Sequence, residues 1–346
     1  MSTTAMPAGG GGITCSVCIA NYNGMGLIDA CIDSVRTQDC GFTVEILVHD
    51  DDSTDDSAAH IAARHPDVRL IASRENVGFC VANNRMAAAA QGEYLLLLNN
   101  DATLFPDALA TLQNEAERLQ RPAILTLPQY NAETGELLDI GSLLDPFLNA
   151  VPNRDPQRAD VGLAAGACLW IPKILWQDLG GFPEWFGSIG EDLYLCSRAR
   201  LEGHPVRALG ISGYHHCVGH SFGGGKAQAG RLVTTYRRRA LSERNKTYVM
   251  AVCYPPSLLI VLLPLHLMLL MFEGAALSLL RRERRLLAEI YLPVPVACWR
   301  ERKRLRRLRG EVQASRRVGV RRFLATFHFL PHKLVMFFKH GLPRLT

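Results

Sequence analysis

Between residues 13 and 119 the chain repeats one pattern four times: a short apolar run, a polar cluster, then a helical stripe. The apolar runs are Ile13–Ala20, Val44–His49, Val68–Ala72 and Glu93–Leu98. The helical stretches are Leu27–Thr37, Asp56–Arg64, Val77–Ala90 and Pro106–Leu119. Near-continuous apolar strands alternating with helices predict an α/β fold whose mostly parallel central sheet is covered on both faces.

In such a sheet, ligands bind beyond the carboxyl ends of the strands. The four runs end in Asn21-Tyr-Asn23, in Asp50-Asp-Asp-Ser-Thr-Asp-Asp56, in Arg74-Glu-Asn-Val-Gly-Phe79 and in Asn99-Asn-Asp101. Any one of these serves as a turn and helix cap. Four at one rim crowd acidic groups that repel one another unless a cation or hydrogen-bond donors neutralise them. Asp101 follows the rigid run Tyr94–Leu98. A lone carboxylate there suits a hard divalent cation whose remaining ligands are water and phosphate oxygens. A metal–nucleotide complex is therefore expected in preference to a structural metal.

Composition excludes several classes. Hydrophobic residues at 48% and charged residues at 21% are those of a folded chain, not a disordered one. Ten cysteines in 346 residues make no dense disulfide scaffold. Cys15-x-x-Cys18 sits inside the first apolar run, so it reads as buried strand and not as a redox or metal pair. Met1–Gly12 reads as a flexible leader without the features of a signal peptide, which places the N-terminal part in a reducing cytoplasm.

The strand-end clusters carry a resemblance. Ser16-Val-Cys-Ile-Ala-Asn-Tyr-Asn23, Val48-His-Asp-Asp-Asp-Ser-Thr-Asp55, Asn76-Val-Gly-Phe79 with Ala82-Asn-Asn84, and Leu97-Leu-Asn-Asn-Asp101 together resemble the family 2 glycosyltransferases of the GT-A nucleotide-sugar-binding fold. The last motif is similar to the family's DXD element, with Asn99 in place of the first Asp. The resemblance implies that Asp101 holds Mg2+ or Mn2+ on the diphosphate of a UDP- or dTDP-linked sugar. It implies that Asp50, with Asp51, contacts the pyrimidine base. It assigns Asn21, Asn23, Arg74, Asn76, Gly78, Asn83, Asn99 and Asn100 to the same nucleotide-sugar site.

The resemblance continues to about Ser221. Gly162–Pro172 is a stretch of small residues leading into an apolar strand, where a substrate can approach closely. Glu191-Asp192 precedes a helical run and resembles the family's acidic motif, which implies Asp192 as catalytic base with Glu191 beside it. Tyr194 stands where the family often has a further Asp. A sugar hydroxyl attacking an anomeric carbon must lose its proton, and a positioned carboxylate accepts it. A single base opposite the leaving group implies inversion. Of the histidines in Tyr214–Lys226, the resemblance implies that His216 or His220 closes over the metal or diphosphate. The Gly223–Gly225 run and Lys226 read as a mobile loop near phosphate.

The formal net charge of +5 hides a split: residues 1–225 carry 13 basic and 27 acidic side chains, residues 226–346 carry 25 and 6. This predicts a leader at 1–12, a catalytic domain at 13–225 and a basic, apolar, helical membrane-association region at 226–346. Thr247–Phe272 is 26 residues without Asp, Glu, Lys or Arg, interrupted by Pro255, Pro256 and Pro264 and flanked on both sides by arginine clusters. Positive flanks stay cytoplasmic. A re-entrant or interfacial hairpin, peripheral or monotopic on the cytoplasmic face of the inner (plasma) membrane, is therefore expected over a single span. A buried helix or homo-oligomer contact is the remaining alternative. Basic runs interleaved with aliphatic ones suit anionic membrane lipid and not nucleic acid. Bacterial rhamnosyltransferase-like members of the family carry such tails, which implies a lipid-linked or polysaccharide acceptor. Two competing functions are a nucleotidyltransferase and a non-catalytic membrane adaptor on a GT-A scaffold.

Overall fold

The structure is a computed structural model that describes residues 12–217, 224–228, 231–341 and 344–345. The expected alternation is present as β1 (Cys15–Asn21), α1 (Ile28–Arg36), β2 (Val44–Asp50), α2 (Ser57–Arg64), β3 (Arg69–Ala72), α3 (Phe79–Ala89) and β4 (Tyr94–Asn99). The chain continues through β5 (Ala102–Leu104), α4 (Ala108–Leu119), β6 (Ile124–Thr126), β7 (Gln129–Asn131), β8 (Leu137–Asp139), β9 (Ser142–Leu144) and β10 (Ala150–Pro152). It then forms β11 (Cys168–Pro172), α5 (Lys173–Asp178), α6 (Glu191–Leu201), β12 (Val206–Ala208) and β13 (Tyr214–His216).

The main sheet has the order β12-β6-β11-β4-β1-β2-β3. β1 is parallel to both β2 and β4, and β2 is parallel to β3. β11 runs antiparallel to β4 and β6. The sheet is thus mixed, with one reversed strand inside the expected parallel set. An apolar run reads the same in either direction, so the reversal is not visible in its composition. It follows from the route: β11 is reached through the excursion β7–β10, without a crossover helix to return the chain to the same end of the sheet.

Successive residues of each strand face opposite layers. Leu95 and Leu97 face a core containing α3, α5 and α6, while Tyr94, Leu96 and Leu98 face a second core with α1 and α4. Each such side chain contributes about 1.5–3 kcal/mol on burial. Cys15 lies in one core and Cys18 in the other, so they are not positioned to ligate one ion. All ten cysteines are free thiols, and burial pushes those of Cys15 and Cys18 upward.

A smaller sheet, ordered β5-β13-β7-β8, lies past the end of β4. Its register pairs His216 with Ala102 across β13 and β5, and Tyr214 with Gln129 across β13 and β7.

The last third consists of β14 (Gly224–Gln228), β15 (Arg231–Thr234), α7 (Tyr236–Cys253), α8 (Pro256–Arg281), a π-turn at Leu286–Tyr291, α9 (Pro293–Arg300), α10 (Arg302–Ala314), α11 (Val320–Phe323), α12 (His332–His340) and the short β16 (Arg344–Leu345). The expected boundary at 225/226 is a charge boundary and not a packing one. Tyr248, Val249, Met250, Val252 and Cys253 of α7 sit in the same core as Leu97, Phe186 and Tyr194. Arg309 of α10 donates to the carbonyls of Ala251, Val252 and Tyr254 at 3.0, 3.2 and 2.7 Å, capping the C-terminus of α7. Part of the basic tail is therefore internal to the fold.

The uncharged run Thr247–Phe272 divides at Tyr254-Pro255. Its first residues complete α7, and the rest form α8, which doubles back along it. Tyr236 bonds Glu283, Arg239 pairs with Glu273, and Thr247 meets His266 at 2.9 Å. The resulting antiparallel hairpin has one buried arm and one exposed apolar arm. Among the described residues α8 is the one helix whose length and composition would let it cross a membrane, and 17% of its apolar window is buried.

Candidate active site

The strand ends converge as the topology requires. Asn21, at the end of β1, donates to Asp50 at 2.8 Å and Ser57 at 3.0 Å, and accepts from Asn100 at 2.9 Å. These bonds tie the ends of β1, β2 and β4 into one buried rim. The Asp50 carboxylate also accepts from the Ser53 backbone N–H at 3.1 Å and hydroxyl at 2.7 Å. Asp51 accepts from Val77 N–H at 2.8 Å and Gly78 N–H at 2.9 Å, one oxygen each. Asn76 donates to the Asp51 carbonyl at 3.2 Å. These acids set the loops of the rim, with their oxygens engaged by hydrogen-bond donors.

Asn23 accepts from Thr54 N–H at 2.7 Å and clips the loop after β2. Asn83 is buried in α3 and donates to the Phe79 carbonyl at 2.9 Å, a bond within its own helix. Arg74 is exposed on the loop before α3.

Asp101 is buried, and its Oδ1 has no hydrogen-bond partner of acceptable alignment. His216 Nε2 nevertheless stands 3.0 Å from that oxygen, and 3.3 Å from Asn99 Nδ2. His216 Nδ1 lies 3.1 Å from Gln129 Nε2, and Tyr214 Oη lies 3.0 Å from Gln129 Oε1. A tyrosine hydroxyl both donates and accepts, so this chain can run in either sense. In one sense His216 presents Nε2–H to Asp101. In the other, the Gln129 amide is turned over so that its oxygen faces the ring, Nδ1–H donates to that oxygen and the Nε2 lone pair faces Asp101, as a metal-ligating imidazole requires. An orphaned carboxylate oxygen beside such an imidazole fits a hard divalent cation. His220 and Gly223 lie outside the described residues, as does the Lys226 side chain. Gln129 and Tyr214 were not singled out in the sequence; nothing in their local pattern marks them.

Glu191 and Asp192 open α6. Asp192 accepts from Leu193 N–H at 2.7 Å and Gly166 N–H at 3.2 Å. Glu191 is buried, and its Oε2 has no hydrogen-bond partner. Burial holds both carboxyls above the usual carboxylate range, and for Glu191 the Asp192 charge adds to it. Arg238 of α7 opposes both shifts, and burial lowers its own guanidinium. Sequence patterning assigned Arg238 to a membrane-flanking cluster, whereas its electrostatic neighbours are the two acids.

The two centres are linked through the backbone of the small-residue stretch. Ala167 accepts from Asn99 N–H at 3.1 Å, and the preceding Gly166 donates to Asp192. Tyr194 is a core residue bonded by Arg198 at 3.2 Å.

A second cluster, Asp29, His60 and His65, joins α1 to α2, with candidate ligand atoms within 4.8 Å of one another. Arg36 donates to His65 Nδ1 at 2.7 Å, so the neutral ring carries its proton on Nε2, 2.7 Å from Asp29. The cluster is satisfied as a hydrogen-bonded clasp.

Residues 16–158 match the Glycosyl transferase family 2 model. Succinoglycan biosynthesis protein ExoO of Rhizobium meliloti is 39% identical over 100 residues, 29% of this chain and 28% of that protein. The N-acetylglucosaminyl-diphospho-decaprenol L-rhamnosyltransferase of Mycobacterium tuberculosis is 25% identical over 186 residues, 45% of this chain and 60% of that protein. The chain thus spans less than two thirds of the curated relatives it matches. The crystal structure of GalNAc-T7 with UDP, GalNAc and Mn2+ superposes with a TM-score of 0.53 at 17% identity, covering 69% of this chain and 50% of that one. That likeness concerns the fold, which is α/β and GT-A-like with a mixed sheet.

Proposed function

We propose that this chain is an inverting glycosyltransferase. It moves a hexose or deoxyhexose, rhamnose among the candidates, from a UDP- or dTDP-linked donor to a hydroxyl of a lipid-linked or polysaccharide acceptor. The observation that carries the reading is the pairing of two centres: Asp101 with His216, and Asp192 tied through Gly166 to the same strand end.

Asp101 and His216 are the residues that would hold Mg2+ or Mn2+. Such an ion supplies neutralisation of the charge that builds on the departing diphosphate. The rim of Asn21, Asp50 and Asn100 gives the donor a rigid floor, since its side chains are locked by one another. Asp192 takes the proton of the attacking hydroxyl. Its raised proton affinity brings it closer to neutral pH, where a general base is most effective. The relatives' printed activities, rhamnosyl transfer to a diphospho-decaprenol lipid and succinoglycan biosynthesis, agree in kind with this substrate class.

The reading places the enzyme on the cytoplasmic face of the plasma membrane. Ile260, Phe272 and Leu279 of α8 and Phe338 of α12 are 74, 72, 79 and 83% exposed. Arg281 ends α8 and Arg282, Arg284 and Arg285 follow directly on it, as expected for an apolar surface resting on anionic headgroups.

Nucleotide-diphosphate release from a panel of UDP- and dTDP-linked hexoses and deoxyhexoses tests the activity. Release is expected with Mg2+ or Mn2+ and lost with EDTA. Pyrophosphate release from a nucleoside triphosphate instead, with the nucleotidyl group passed to the acceptor, would favour the nucleotidyltransferase.

A further inference from the structure

The loop that delivers Glu191 and Asp192 is strained. Gly187, Ile189 and Gly190 adopt φ of +75, +67 and +90°. For the β-branched Ile189 this conformation costs about 1–3 kcal/mol and persists only where surroundings over-determine it. The surroundings come from the basic third of the chain. Asn245 of α7 has no exposed surface, and the two N–H groups of its Nδ2 are shared among the carbonyls of Phe186, Ser188 and Ile189 at 3.1, 2.9 and 2.7 Å. Arg244 donates from Nη2 to the Phe186 carbonyl at 2.9 Å and from Nε to Asn245 Oδ1 at 2.9 Å. A Cβ on Gly190 would stand 3.2 Å from the Asn245 Cβ, so the loop lies directly against the helix. On its other side Gly187 accepts from Cys80 N–H at 3.1 Å, at the start of α3.

We infer that Asn245 is a positioning residue for the Glu191–Asp192 carboxylates, and that α7 is therefore part of the catalytic machinery and not only an anchor. The inference rests on the reading of that acid pair as the site where the acceptor hydroxyl is activated. Asn245 itself touches no reacting atom. It gathers three carbonyls of a left-handed loop and thereby sets where the first turn of α6 begins. A polar side chain buried beside three carbonyls is costly unless all are bonded, which resists relaxation of the loop.

The test uses the full chain with Asn245→Asp, which keeps the volume and removes the donors, and Asn245→Ser, which retains one. Asn245→Asp is expected to lower kcat by about 100-fold, the scale of a misplacement of about 1 Å, with Asn245→Ser between it and wild type. Donor KM should stay within about twofold, since donor binding lies at the other centre. Amide exchange across residues 186–192 should quicken while that of β1 and β4 does not. Wild-type kcat in Asn245→Asp, or unchanged exchange across the loop, overturns the inference. Recovery of both variants only as unfolded chain overturns it too, by making Asn245 a residue of the general fold. A wild-type chain inactive on every donor would sink the assigned reaction, while the exchange measurement still decides the tether.

Discussion

His216 Nε2 lies 3.0 Å from Asp101 Oδ1 because β13 pairs with β5 in a register that sets His216 opposite Ala102, the residue after Asp101. Residues far apart in the sequence thus meet at one rim, and the Asp101 oxygen has no properly aligned donor there. Asp101→Asn keeps the shape and removes the charge. Donor turnover in this variant is expected to fall at least about 100-fold, with excess Mn2+ failing to restore it. Steady-state release assays across a Mn2+ titration read this directly.

Gln129 sets which nitrogen of His216 is free. Gln129→Leu removes the partner of Nδ1 and leaves the ring without its orienting bond. Apparent affinity for the activating cation is expected to weaken about 10-fold or more, as outer-shell losses do, while the fold is retained. Unchanged cation dependence would mean that His216 does not need that bond.

The acid pair predicts a pH signature. Burial raises both carboxyls, so the unprotonated base forms only above the ordinary carboxylate range, and kcat should rise with pH on an acid limb displaced upward. Arg238 lowers both, so Arg238→Gln should move the limb to still higher pH, whereas Arg238→Lys should leave it near wild type. A limb that moves downward in Arg238→Gln contradicts the assignment.

Glu243 is buried between Lys246 at 2.8 Å and Lys333 at 2.6 Å, and these cations hold its carboxyl well below the usual range against its burial. A depressed folded value stabilises above the unfolded one and is lost as pH falls through it. Thermal stability should therefore drop on acidification below the ordinary glutamate range. Glu243→Gln, which strands Lys246, should cost about 3–5 kcal/mol at neutral pH. Calorimetry of the two proteins at neutral and acid pH measures both effects.

Phe272→Asp and Phe338→Asp should reduce co-sedimentation with phosphatidylglycerol vesicles, and phosphatidylcholine vesicles should bind wild type less well because the arginine rim has no partner there. Equal sedimentation of wild type and variants would remove α8 and α12 from the contact.

Much of the architecture could be read from residues alone, because period and punctuation encode it. The strands before Asn21, Asp50, Ala72 and Asn99 begin and end within two residues of where their apolar runs do. The direction of β11 was not legible, since Cys168–Pro172 is apolar whichever way it runs. For the site, Asp101 and the Glu191–Asp192 pair stand at element ends and announce themselves. Gln129, Arg238 and Asn245 do not. Arg238 and Asn245 lie in a basic segment ahead of a long uncharged run, and that pattern reads as a membrane flank. Only packing reveals that Glu243, Asn245, Lys246 and Thr247 are all buried. The charge split remains real, but the fold uses the first stretch of its basic side to complete the acidic one.

The central proposal is that Asp192 acts at a cation-supported sugar donor. Its most direct test is nucleotide-diphosphate release and product formation by wild type and Asp192→Asn, on the same UDP- and dTDP-linked donors and acceptor, each with Mn2+ and with EDTA. The prediction is transfer with inverted anomeric configuration by wild type with Mn2+ only, and a loss of about 100-fold or more in Asp192→Asn with donor binding retained. Undiminished transfer by Asp192→Asn, or transfer indifferent to EDTA, would contradict it.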